Sequence, residues 1–259
     1  GLVGGSGQGT GKPAITVLDP AATQRERLAR DFGVRALDAL PAGEPGCEVL
    51  VLAVKPQQMR EALLPLVAHA RHALVISVAA GIRAGDLSRW LGGHTRIVRT
   101  MPNTPALIGA GITGLWADAN VAAADRELAQ RIVAAVGETV WVDTEPLLDV
   151  VTAVSGSGPA YVFYFMEAVE AAGRRLGLNA SQARQLTLAT FRGAAALASQ
   201  SSEPPSVLRE RVTSKGGTTA AALAVMAGHQ LADPIAEAIA AACRRGAELA
   251  DEFGRDPAA

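Results

Sequence analysis

The hydrophobic pattern divides the chain into two textures. Short apolar runs rich in β-branched residues recur at 15–18, 49–54 and 73–78, the last two almost continuously apolar. Such runs predict strands buried on both faces, because a strand with one wet face would alternate. Weaker strand signals follow at 96–100, 111–116 and 139–143, with helical patterns at 21–32, 57–68 and 121–136. Strand–helix alternation predicts βαβ units, and so an α/β, Rossmann-like, doubly wound parallel sheet with right-handed crossovers.

Past residue 143 the strand signals stop. Helical patterns occupy 146–154, 159–176, 181–198, 205–212, 219–227 and 234–253, with prolines at or near several starts, where a missing N–H costs nothing. Breaks fall at Gly156-Ser157-Gly158, at Gly177-Leu178-Asn179, at 199–204 and at 228–233. Alanine fills many helix positions, and runs such as Ala236, Ile239, Ala240 and Cys243 leave little polar face. This predicts an all-α bundle, buried in part across a subunit interface. The expected domains are therefore 1–144 and 145–259.

Composition narrows the function classes. The 259 residues are 49% hydrophobic and 19% charged, enough for a sizeable core. A net charge of −1 with no basic stripe gives no case for nucleic acid. No apolar run is long enough for a membrane helix, and no signal-peptide layout opens the chain. Cys47 and Cys243 lack metal-ligand spacing and suit reduced thiols of a cytoplasmic protein. The chain opens on Gly1 without a methionine. Gly9-Thr10-Gly11-Lys12-Pro13-Ala14 matches G-x-G-x-x-A on paper, but it precedes a strand, whereas a phosphate loop follows one. The expectation is a connector at 4–13, with the first strand and the true glycine fingerprint lying upstream.

Doubly wound sheets bind ligands at the carboxyl ends of their strands. Two predicted strands end in Ala53-Val54-Lys55-Pro56 and in Val78-Ala79-Ala80-Gly81. Their small residues leave room for a flat cofactor ring; they equally suit routine βα connections. Asp19 closes the strand at 15–18, which on this view is the second of the dinucleotide fold; a carboxylate there favours a ribose 2′-hydroxyl over a 2′-phosphate, and Arg25 and Arg27 would offset that preference. Asp19-Pro20 also reads as a plain helix cap. In Arg99-Thr100-Met101-Pro102-Asn103-Thr104-Pro105, prolines on both sides of Asn103 hold its amide for a ligand or simply stiffen a surface turn. His69, His72, His94 and His229 are scattered, and neither a Ser–His–acid arrangement nor a metal site suggests itself.

The run Val212-Thr213-Ser214-Lys215-Gly216-Gly217-Thr218-Thr219 carries the most chemistry. Glycines allow close backbone approach, and the helix start that follows offers unpaired N–H groups and a positive dipole end. The run reads either as an anion site or as an ordinary threonine cap after a glycine turn.

AVKPQ at 53–57, VAAG at 78–81, RTMPNTP at 99–105, VSGSGPAY at 154–161 and VTSKGGTTAAAL at 212–223 occur in one order along the whole chain. Together they closely resemble the pyrroline-5-carboxylate reductases, the last enzymes of proline biosynthesis. The resemblance implies an N-terminal dinucleotide-binding domain for NADPH or NADH and an all-α C-terminal dimerisation domain. It also implies a homodimer, in the family often built into larger rings, acting on 1-pyrroline-5-carboxylate. Ala53, Val54, Lys55, Pro56, Val78, Ala79 and Ala80 would border the dinucleotide, with Asp19 at its ribose and Asn103 near the nicotinamide. Ser214, Gly216, Gly217, Thr218 and Thr219 would hold the substrate carboxylate, Thr219 also assisting proton delivery. The chain departs from the family's usual pattern at Lys215, where proline is usual.

Two rivals stand beside this reading. β-Hydroxyacid dehydrogenases use a helix lysine of the C-terminal domain, but the only lysines here are Lys12, Lys55 and Lys215. A non-catalytic dinucleotide-binding protein would keep the fold and lack turnover.

Overall fold

The computed structural model describes residues 14–41 and 43–255, so the glycine-rich stretch 4–13 lies outside the described residues. By packing, the chain divides into two units, one of residues 1–152 with 246–259 and the other of residues 153–245.

In the first unit, β1 (Thr16–Leu18) leads through α1 (Ala22–Phe32) to a parallel partner, β2 (Arg35–Leu37). Helix α1 stops at Gly33, whose φ of 65° turns the chain left-handed while its N–H reaches Ala29 O. The larger sheet runs in chain order: β3 (Val49–Leu52), β4 (Leu74–Ser77), β5 (Ile97–Met101), β6 (Gly111–Ala117) and β7 (Gly137–Trp141). Its core follows from side-chain alternation. Leu50, Leu52, Val75 and Ile97 join one cluster; Val49, Leu74, Ile76 and Val98 join the other. The first cluster is closed by α2 (Met59–Leu63), α3 (Val67–Ala70) and α4 (Ala84–Trp90), through Met59, Leu63, Ala70 and Leu87. The second is closed by α5 (Ala123–Ala134), through Leu128, Ala129, Ile132 and Val133 at helical spacing.

Two expectations change here. The sheet is not parallel throughout, because β5 and β6 pair antiparallel while β3–β4–β5 and β6–β7 pair parallel. The link 102–110 holds only the 3₁₀ turn Thr104–Ile108, and a parallel return needs a crossover of about a dozen residues or more. The helix expected over 57–68 is broken by the 3₁₀ turn Leu64–Leu66, since Pro65 lacks an N–H and its ring clashes with the preceding turn. Strand β2 and helix α4 carry too few residues to show periodicity.

The second unit is helical: α7 (Gly158–Arg175), α8 (Ala180–Ser199), α9 (Pro205–Arg211), α10 (Thr218–Gly228) and the first part of α11 (Ala232–Phe253). Helices α7 and α8 form a hairpin that turns at Gly177, with φ 108°. Asn179 opens α8 with a reciprocal cap, accepting from Gln182 N at 2.9 Å while its own N–H reaches Gln182 Oε1. Between β7 and this unit, α6 (Leu147–Val151) buries Leu148 and lies so close to β6 that a Cβ on Gly114 would come within 2.6 Å of Val151. Helix α6 thus packs with the sheet, and the packing units part at 152/153, at the π-helical turn Thr152–Gly156.

Arg96 grips Asp125 of α5 with two bonds, Nε at 2.9 Å and Nη2 at 2.8 Å, holding that carboxyl below its ordinary value of 3.8. A depressed carboxyl stabilises the fold above its unfolded pKa and loses that contribution as pH falls through the folded one. Asp125→Asn should therefore flatten the fall of melting temperature below about pH 4. Parallel pH–Tm curves for the two proteins would contradict this.

Candidate functional site

Strand register sets the site's outline. Leu52 pairs with Ser77, and Ser77 with Arg99, so the turns after β3, β4 and β5 emerge at one sheet edge. Ala53 and Lys55 are exposed there, and Val78, Ala80 and Pro56 half-buried. Val54 and Ala79 turn inward and pack on the first core cluster. Of the residues expected to border a dinucleotide, these two offer backbone rather than side chain.

The turn after β4 is held from below. Thr100 Oγ1 donates to Ser77 O at 3.0 Å, and Ala79 N donates to Ser77 Oγ at 3.3 Å. Gly81 then takes a φ of 70°, which favours glycine. Asn103 has a divided role: its Oδ1 accepts from Ile112 N at 2.9 Å, anchoring the start of β6. Its amide nitrogen has no partner among the described residues and stays available as a donor.

Asp19 ends β1 of the smaller sheet. Its Oδ1 accepts from Ala21 N at 2.8 Å in the turn before α1, whose own N-cap, Ala21, has no side-chain cap bond, and the second oxygen remains. Arg25 is turned to the backbone, donating to Asp19 O and Pro20 O, while Arg27 lies 3.8 Å from Asp31.

In the second unit, Gly217 N donates to Ser214 O at 3.1 Å and Gly216 has φ 71°. These features make Ser214–Gly217 a type II turn, with Lys215 at the position where proline is favoured. The lysine is exposed and forms no ion pair among the described residues. Helix α10 starts directly after Gly217; its first backbone bond runs from Ala221 N to Gly217 O. The N–H groups of Thr218, Thr219 and Ala220 are thereby left to a ligand or water, at the positive end of the helix. Ser214 and Thr218 are exposed and Thr219 half-buried. A Cβ on Gly217 would lie 2.4 Å from Ser214 Oγ, so a side chain here would force the Ser214 hydroxyl to move.

Sequence reasoning missed the polar support under the sheet edge. Arg99, with its side chain 6% exposed, donates from Nη1 to Glu145 Oε1 at 2.9 Å. The same oxygen accepts from Ala84 N at 2.7 Å, at the start of α4. Asp149 nearby is pushed up by burial, against the pull of Arg99 and Arg83. Ser77 and Thr100 were likewise unsignalled, being short polar residues inside apolar strands. Among the described residues, no His, Cys, Asp or Glu group is placed to hold a metal, and no helix is long and apolar enough to cross a membrane.

Residues 145–249 match the family model for pyrroline-5-carboxylate reductase dimerisation, and residues 4–81 that for NADP oxidoreductase, coenzyme F420-dependent. The pyrroline-5-carboxylate reductase of Pseudomonas aeruginosa is 43% identical over 98% of this chain and 94% of its own. That of Vibrio alginolyticus is 41% identical over 94% and 91%. Among solved structures, the Coxiella burnetii pyrroline-5-carboxylate reductase superposes with a TM-score of 0.85 at 38% identity, over 91% of this chain and 88% of that one. The Plasmodium falciparum pyrroline carboxylate reductase, solved with NADP bound, gives 0.75 at 28% identity, over 85% and 87%. At this identity over nearly the whole length, the chain belongs to the pyrroline-5-carboxylate reductase family.

Proposed function

We infer that the protein reduces 1-pyrroline-5-carboxylate to L-proline with NADPH or NADH, the last step of proline biosynthesis. Beside the family membership, the observation that carries this reading is the type II turn Ser214–Gly217 feeding three open N–H groups at the start of α10. A substrate with one carboxylate and little else to grip needs such an anchor. The α/β half, expected as 1–144, is assigned to the cofactor and the helical half, 145–259, to the substrate.

The chemistry of the cofactor side fits a dinucleotide. The edge offers small exposed residues beside a flat ring's path, a free amide donor on Asn103, and on Asp19 a carboxylate oxygen able to accept from a ribose hydroxyl. When bound, NAD(P)H supplies the hydride. The chain's own work is positioning and electrostatics. Ser214, Thr218 and the backbone at Gly216, Gly217 and Thr219 hold the substrate carboxylate. This fixes which ring carbon faces the reductant. A protonated C=N is already electrophilic, so no strong base is required. The Thr219 hydroxyl oxygen accepts from the protonated ring N–H and helps to keep that proton there; that proton and the transferred hydride together complete the amine.

The protein is proposed to be a homodimer, able to build larger rings. The helical unit supports this by exposing Phe163, Tyr164, Leu197 and Val225, with Tyr164 71% exposed in the single chain. Light scattering measures the assembly. The partner is a small molecule rather than nucleic acid or membrane, and the cytoplasm is the proposed location, which the free thiols of Cys47 and Cys243 suit. Mixing the protein with NADPH or NADH and pyrroline-5-carboxylate, and following nicotinamide absorbance, tests the activity; no oxidation with either cofactor would refute it. Thr219→Ala should lower kcat/KM about tenfold, the effect of losing one well-placed hydrogen bond. A change of less than about twofold, under 0.5 kcal/mol, would remove Thr219 from this role.

A further inference from the structure

We propose that Phe253, near the end of α11, is a positioning residue for the turn Val78–Gly81 and through it for NAD(P)H. The proposal rests on the reading that this turn borders the dinucleotide. Gly81 is buried, and a Cβ on it would lie 3.2 Å from Phe253 Cδ2 and 3.5 Å from both Ala250 N and Leu249 Cβ. The end of α11 therefore rests directly on the backbone of the turn. The Phe253 ring packs on the cluster containing Ala79, Ile82, Leu87 and Leu91, so it touches the turn and the core beneath it. Ala250 is 2% exposed.

Two polar ties keep the helix end in place. Arg83 Nη2 lies 2.6 Å from Asp251 Oδ1, and Arg89 Nη2 donates to Gly254 O at 2.6 Å. Arg83 is the N-cap of α4, immediately after the turn, and Arg89 lies in the last turn of the same helix. A glycine at φ 70° has wide conformational freedom and no side chain of its own to wedge the turn. The aromatic ring supplies that wedge. Removing it leaves a void under the turn, into which the backbone relaxes. Cofactor affinity should suffer, while the substrate anchor in the second unit is untouched.

Phe253→Ala should raise the Kd and KM for NADPH about tenfold, with KM for pyrroline-5-carboxylate and kcat at saturating cofactor changing less than about threefold. Phe253→Leu, which refills most of the volume, should recover affinity to within about threefold of the parent. A purely structural role would lower melting temperature without this split between the two KM values. If the alanine variant does not fold, Phe253→Val tests the same direction with a smaller cavity. A cofactor Kd within twofold of the parent in a folded Phe253→Ala or Phe253→Val protein overturns the proposal. Ala80→Leu, crowding the turn directly, tests the underlying reading: if it leaves NADPH affinity unchanged, the turn does not border the cofactor.

Discussion

Gly217→Ala should lower kcat/KM for pyrroline-5-carboxylate about a hundredfold, the order of loss that follows from misplacing a reacting group by about 1 Å. The new methyl group would fall 2.4 Å from Ser214 Oγ and 3.2 Å from Ser214 O. The hydroxyl must rotate away, and the carbonyl, which belongs to the turn's own hydrogen bond, must give by a few tenths of an ångström. Both consequences strike the proposed carboxylate anchor: the serine hydroxyl leaves, and the open N–H groups at Thr218 and Thr219 change direction. Far-ultraviolet circular dichroism and NADPH affinity should stay at the parent's level, because the substitution lies in the helical unit. Parent-like turnover would show that the turn does not shape the substrate site.

Glu145→Ala should carry the largest stability cost, about 2–4 kcal/mol. Breaking a buried ion pair costs roughly 3–5 kcal/mol, and Glu145 is partly screened, with 22% of its side chain exposed. The guanidinium of Arg99 would stay inside the sheet, where its Nε already lacks a partner. Ala84 N would lose its acceptor too. A loss of this size lowers Tm by about 5–15 °C in a chain of this length. Replacing the pair together, as Arg99→Met with Glu145→Leu, should recover at least half of the loss, since no unpaired charge remains. A Tm within about 2 °C of the parent for Glu145→Ala would show that Arg99 is neutralised by other means.

Periodicity made the buried core strands legible. Run 73–78 reads as almost continuously apolar because successive side chains feed two different clusters, Val75 one and Ile76 the other, whereas in run 49–54 Val51 is 45% exposed and joins neither. Strand direction is not written in such runs. The reversal at β6 depends on the short link 102–110, whose brevity is the only trace it leaves in the sequence. The turns of the site were legible where glycine and proline mark backbone needs, as at Gly81 and Gly216. Partnerships across sequence were not. Arg99 and Glu145 stand 46 positions apart, and nothing local in either segment announces the other. Asn103 was read as a donor to a ligand; half of its amide turns out to pin a strand, a role that exists only once β6 folds back beside it.

The return of the chain to the first unit at Gly246 bears on how the protein is made. A chain leaves the ribosome from its amino end, and most domains can close as soon as they emerge. Here the cluster around Ala79, Ile82 and Leu87 lacks its Phe253 face until the whole helical unit has been translated. The dinucleotide half is thus begun first and finished last. During synthesis the turn Val78–Gly81 must wait for its last packing partner, the final turns of α11.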